Sequence, residues 1–214
     1  VDTTVHTVTV TVSDNGDGTL NVEASENAEE LNFVNSYKAE GGIALEGTKT
    51  LVGRKLENDE FKFQLKNEEG DVVATATNDA EGKIVFSEIK YTEADIGKTY
   101  NYTAVEVTGD LAGVTYSTAT IAVQVKISDN GDGTLKVETT SESKPIAFTN
   151  TYSADGEIVL AGTKSLTGRA LKAGEFSFEL YEGNELLQTV QNDADGAFAF
   201  AKIEYELSDA GKTF

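Results

Sequence analysis

Apolar and polar positions alternate along much of the chain. The pattern is plain in Val8-Thr9-Val10-Thr11-Val12, in Phe61-Lys62-Phe63-Gln64-Leu65 and in Phe176-Ser177-Phe178-Glu179-Leu180. Successive side chains of an extended strand point to opposite faces, so a period of two marks strands with one covered face and one wet face. No long helical stripe runs through the sequence. Thr92 to Asp95 and Leu207 to Ala210 suggest single helical turns, each stopped by a following glycine, Gly97 or Gly211. Between the strands stand turn formers tolerant of positive φ: Asn15-Gly16-Asp17-Gly18, Asn130-Gly131-Asp132-Gly133, and the stretches 78–82 and 192–196. Many short strands at this spacing predict an all-β sandwich.

The pattern also recurs. Gly47 to Arg54 (GTKTLVGR) returns as Gly162 to Arg169 (GTKSLTGR), and Ser13 to Leu20 (SDNGDGTL) returns unchanged as Ser128 to Leu135. Both pairs are offset by 115 positions (164 minus 49; 128 minus 13). Phe33 to Tyr37 returns as Phe148 to Tyr152 at the same offset, whereas Gly97 to Tyr100 returns as Gly211 to Phe214 at 114. The lost residue falls where Asn67 to Asp71 faces the shorter Glu182 to Glu185, as suits a surface hairpin tip. The chain therefore reads as tandem repeats: residues 1–38 as the C-terminal part of a preceding repeat, 39–153 as a complete repeat, and 154–214 as the N-terminal part of a following one.

Alternation also shows which polar residues face inward. Ile43, Leu45, Gly47, Lys49 and Leu51 share one strand face, so Lys49 is aimed at the core, and Lys164 is placed alike among Ile158, Leu160, Gly162 and Leu166. Ile146, Phe148, Asn150 and Tyr152 form another such face, matched by Leu31, Phe33, Asn35 and Tyr37. Burying an ammonium is costly unless it is paired or loses its proton, and a buried amide must find partners. Bond formation between the two removes both costs. A desolvated lysine becomes a neutral amine nucleophile that can attack the asparagine side-chain carbonyl and expel ammonia, leaving an isopeptide. The step needs a proton-carrying acid held in an apolar site. Glu106 shares a face with Tyr100, Tyr102 and Ala104 and is assigned this role; Glu60, the runner-up, shares a face with Lys62 and Gln64 and points away from Phe61 and Phe63.

A G-T-K-x-L-x-G-R opening, an E-F-x-F-x-L strand, a Y-x-Y-x-x-x-E strand and a closing F-x-N-x-Y, in this order, resemble the streptococcal pilin isopeptide linkage domains. The resemblance covers the complete repeat and both partial ones. It implies immunoglobulin-like repeats with self-formed Lys to Asn bonds, in a stalk or pilus-like protein on a Gram-positive cell surface, anchored to the cell wall in the parent protein. Carried over by position, Lys49 resembles the nucleophile, Asn150 the acceptor and Glu106 the acid, and Asn35 and Lys164 resemble half-sites of the split repeat. Stretch 101–115, which holds Glu106, has no counterpart after Lys164, so neither partial repeat is expected to cross-link alone. The partners expected are neighbouring repeats, with head-to-tail self-association of the partial ones as a hypothesis.

Composition narrows the remaining classes. The formal charge of -20 is spread along the chain, which disfavours nucleic acid as a partner. No apolar run is long enough to insert in a membrane. With no Cys, neither a disulfide nor a thiolate metal site can form. The Asp-Asn-Gly-Asp-Gly stretches suggest calcium loops, but Leu20 and Leu135 follow where a bidentate acid would be needed, so hairpin turns are expected and no metal or cofactor. His6 has no companions for zinc and is expected to pack on a strand. A turnover enzyme is not expected, because the constellation consumes its own residues. The alternative function is an adhesive module that recognises a host glycan or protein through hairpin loops that differ between repeats.

Overall fold

The computed structural model describes residues 1–26 and 31–214. Strands β1 (Val10–Asp14) and β2 (Leu20–Ala24) form an antiparallel hairpin. There follow β3 (Glu40–Ile43), β4 (Glu46–Val52), β5 (Lys62–Lys66), β6 (Val72–Thr77), β7 (Lys83–Val85), β8 (Ile89–Thr92) and β9 (Thr99–Glu106). Next come β10 (Val114–Thr115), β11 (Thr120–Asp129), β12 (Leu135–Thr139) and β13 (Ile146–Tyr152). The last are β14 (Asp155–Ile158), β15 (Ala161–Thr163), β16 (Ser177–Glu182), β17 (Glu185–Gln191), β18 (Ala197–Ala199) and β19 (Ile203–Glu206). The two expected helical turns are 3-10 turns at Glu93–Asp95 and Leu207–Asp209.

Two sheets make an immunoglobulin-like β-sandwich. One has the order β12-β11-β9-β5-β6 and the other β10-β13-β4-β7, while β3 pairs with β8. Strand alternation builds the layer between them: Phe63, Leu65, Ala104, Val123 and Val125 come from the first sheet, Leu51, Ile84, Ile146 and Phe148 from the second, and all are buried. The Phe63 and Phe148 rings stack across the layer with centroids 5.1 Å apart. At about 1.5–3 kcal/mol for each large apolar side chain removed from water, this layer is the main favourable contribution to folding. Every residue of the buried apolar cluster lies between Ala39 and Phe148.

The parallel pairing of β4 with β13 decides where the polar chemistry falls. Ile146 is level with Gly47, Phe148 with Lys49, and Asn150 with Leu51. Lys49 and Asn150 therefore project from adjacent strands onto one face, one diagonal step apart. A one-residue slip would turn either of them to solvent.

Residues 154–214 repeat the first half of this arrangement. The pairings β14-β19, β15-β18 and β16-β17 reproduce β3-β8, β4-β7 and β5-β6. Phe176, Phe178, Leu180 and Phe198 are nonetheless only half-buried, because no counterparts of β9, β11 and β13 are packed over them. The expectation for Leu31, Phe33, Asn35 and Tyr37 needs the same correction. That face is exposed, with Phe33 at 60%, since no second sheet covers it. His6 lies outside any strand and is half-buried, its ring edge-on to Phe33 at 4.8 Å.

One glycine secures the backbone of Lys49. Gly82 ends the turn between β6 and β7 at φ +88°, its carbonyl accepts the Lys49 N–H at 2.6 Å, and a Cβ there would collide with the Lys49 carbonyl. Gly196 stands in the same relation to Lys164, whose N–H it accepts at 2.7 Å. Gly70, with φ +90°, faces open space. Gly70→Ala should therefore cost about 1 kcal/mol of backbone strain, and Gly82→Ala distinctly more because the lysine strand must also shift. Urea titrations of the two variants check the order.

Candidate functional site

Lys49, Glu106 and Asn150 meet at one end of the sandwich interior. Lys49 on β4 and Asn150 on β13 come from one sheet, and Glu106, the last residue of β9, reaches in from the other. The three are 3%, 8% and 0% exposed, so the contact is closed to solvent. Lys49 Nζ lies 2.8 Å from both Glu106 carboxylate oxygens, and Asn150 Nδ2 donates to Glu106 Oε1 at 2.7 Å. Glu106 is thus the hub between the amine and the amide. Asn150 Oδ1 accepts the backbone N–H of Ser117 at 2.7 Å.

Aromatic rings supply the apolar wall. Lys49 Nζ sits 4.3 Å from the centroid of Phe61 and 5.8 Å from that of Phe63. Desolvation by this packing pushes the Lys49 pKa down, and it outweighs the opposing attraction of Glu106. The direction favours a neutral amine carrying a free lone pair.

Glu60 lies elsewhere. It accepts hydrogen bonds from the Arg54 guanidinium and from the Glu57 N–H, and Arg54 lowers its pKa. Alternation aims Glu60 away from the core. Its side chain is nonetheless only 9% exposed, because Arg54, stacked 4.9 Å from the Tyr152 ring, folds over it. Arg169 and Glu175 form the same ion pair in residues 154–214. The recurring Arg and Glu of the two sequence blocks are thus ion-pair partners, and Glu60 acts on Lys49 through its charge, which opposes the lowering of the lysine pKa by burial.

Lys164 and Asn35, expected as half-sites, lack such a closed contact. Lys164 is half-buried, with Nζ 4.7 Å from the Phe176 centroid, as Lys49 is over Phe61. Asn35 is exposed, and its Oδ1 accepts the Asp2 N–H at 2.5 Å. The two are not brought together. Among the described residues no cluster of His, Cys, Asp or Glu could hold a metal ion.

Two contributors escape a reading of sequence. The Ser117 donor is a backbone group on an irregular stretch and leaves no trace in residue type. Asn78 could have been noticed, since it recurs as Asn192. Asn78 is 2% exposed; its Oδ1 accepts the Phe61 N–H at 2.8 Å, and its Nδ2 donates to the carbonyls of Glu57 and Asp79. It fixes the backbone that holds Phe61 over the amine. Asn192 does the same for Phe176.

A family model described as FctA, the Spy0128-like isopeptide containing domain, matches residues 1–38 and 45–153. Among solved structures, the T-13 major pilin of Streptococcus pyogenes is 16% identical, with 81% of this chain and 78% of that chain covered and a TM-score of 0.39. Another major pilin structure from Streptococcus pyogenes is 15% identical over the same shares, with a TM-score of 0.31. No curated protein matches the chain.

Asn78→Ala should leave one buried donor and two carbonyls without their partner and lower stability by about 1–3 kcal/mol. Thermal melting of that variant against the parent chain checks the loss.

Proposed function

This chain belongs to the family of Spy0128-like isopeptide containing domains, and from that premise we propose that it is a structural stalk or pilus-like repeat of a Gram-positive cell surface, locked by an autocatalytic bond between Lys49 and Asn150. The observation that carries the reading is the closed contact of Lys49 Nζ and Asn150 Nδ2 with one buried carboxylate. In this reading residues 39–153 are the complete repeat, and 1–38 and 154–214 are parts of its neighbours. The range of the buried apolar cluster and the recurrence of three strand pairings support that division.

The chemistry needs nothing from outside. Glu106 takes a proton from Lys49, and the neutral amine attacks Cγ of Asn150. Negative charge develops on Oδ1, where the Ser117 N–H already points. Glu106 then passes the proton to Nδ2, with which it is in hydrogen-bond contact, the Cγ–Nδ2 bond breaks, and ammonia leaves. The former lysine nitrogen gives its second proton back to the Glu106 carboxylate, which leaves the neutral secondary amide. One amine and one primary amide thus become one isopeptide and one ammonia. The event is a single turnover that alters the protein itself.

Closing a loop of about 100 residues would lower unfolded-state entropy by roughly 4–5 kcal/mol, taking the chain-entropy treatment of disulfides as the guide. The link would join adjacent parallel strands, one from each end of the repeat. Reductants would leave it intact.

Lys49→Ala and Glu106→Ala should each abolish the cross-linked peptide containing positions 49 and 150 from a protease digest and lower the melting temperature. Glu60→Ala should retain that peptide. Its presence in Glu106→Ala, or its absence from Glu60→Ala alone, would refute the assignment of the acid.

A further inference from the structure

Tyr37, which closes the F-x-N-x-Y motif of residues 1–38, reaches the sandwich. Its hydroxyl donates to Asp129 Oδ1 at 2.7 Å and accepts the Gly133 N–H at 3.2 Å. The backbone continues the contact: the Glu40 N–H donates to the Gly133 carbonyl at 3.2 Å, and Glu40 bridges Thr134 in parallel fashion. Asp129 and Gly133 belong to the SDNGDGTL turn between β11 and β12. That turn is held from within, Asp129 Oδ1 accepting the Gly131 N–H at 2.9 Å and Asp132 Oδ1 accepting the Thr134 N–H at 3.0 Å. The carboxylate and the glycine amide therefore stand ready for a hydroxyl that both donates and accepts.

We infer that this turn is a docking socket for the tyrosine that ends the preceding repeat, and that the Tyr37 contact is a latch used at successive repeat junctions. Every part recurs at the same offset of 115: Tyr152 corresponds to Tyr37, Asp14 to Asp129 and Gly18 to Gly133. The first copy of the turn has the same form, with Asp14 Oδ1 accepting the Gly16 N–H at 2.9 Å and Asp17 Oδ1 the Thr19 N–H at 2.9 Å. Gly18 and Gly133 have φ of +86° and +90°. The partner that this surface fits is thus a phenol hydroxyl at the C-terminal edge of a like repeat. The Asp129 carboxylate also raises the Tyr37 pKa, in keeping with a hydroxyl whose proton is held. The role is independent of the Lys49 to Asn150 bond, although it rests on the repeat division proposed above.

Trypsin cutting after Lys38, the residue next to the latch, reads its closure in the full chain. Tyr37→Phe and Asp129→Ala should both be cut there roughly three to ten times faster than the parent, as expected for loss of one solvent-exposed hydrogen bond. Asp14→Ala, which damages the equivalent turn away from this junction, should be cut at the parental rate. Equal rates for the parent and Tyr37→Phe would overturn the latch. A fast Tyr37→Phe beside an unaltered Asp129→Ala would overturn the socket, and acceleration by Asp14→Ala would mean that hairpin damage, not docking, controls cleavage. Thermal melting of each variant separates junction opening from loss of the sandwich.

Discussion

A lysine and a glutamate whose side chains have no exposed surface lie together between two β-sheets, and the rest of the structure answers to that constraint. Two opposite charges taken out of water lose more hydration than their attraction easily returns, and removing one partner of such a pair typically costs about 3–5 kcal/mol. The sandwich meets the problem by satisfying each polar atom. Glu106 serves the amine and the amide, Ser117 serves the amide oxygen, and no buried side-chain polar atom among the described residues lacks a partner. On the function proposed above, transfer of the lysine proton to the carboxylate would remove both charges and would also create the nucleophile and the acid. On that proposal, the environment that makes the pair costly is also the one that would make it reactive.

Positioning comes from elements that are themselves tightly held. The parallel register of β4 and β13 sets the lysine and the asparagine a diagonal step apart. Gly82 fixes the lysine backbone, and Asn78 fixes the backbone of the ring that desolvates the amine. The glutamate comes from the opposite sheet, so the site exists only when the two layers are packed. Residues 154–214 make the point by contrast. Lys164 has its glycine and its ring, yet it remains half-buried where no second layer lies over it.

Much of this was legible as pattern. The period of two gave the strands, and it put Lys49, Asn150 and Glu106 on inward faces because a strand residue can face only one of two ways. The repeat offset gave the equivalence of the two lysines and of the two turns. Pattern failed where position depends on other strands. Leu31 and Phe33 alternate like core residues but are exposed, since alternation marks the face that would be buried and not whether anything covers it. Glu60 alternates outward yet is sheltered by Arg54, a partner six residues back that strand period alone does not reveal. The Ser117 amide is invisible in sequence because it is a backbone donor.

The direct measurement is the intact mass of the denatured, purified chain. The account predicts a mass lower than that of the sequence by one ammonia, with the loss mapped to a branched peptide joining Lys49 to Asn150. A mass equal to that of the sequence would contradict it, leaving Lys49, Glu106 and Asn150 as a buried polar cluster that never reacts.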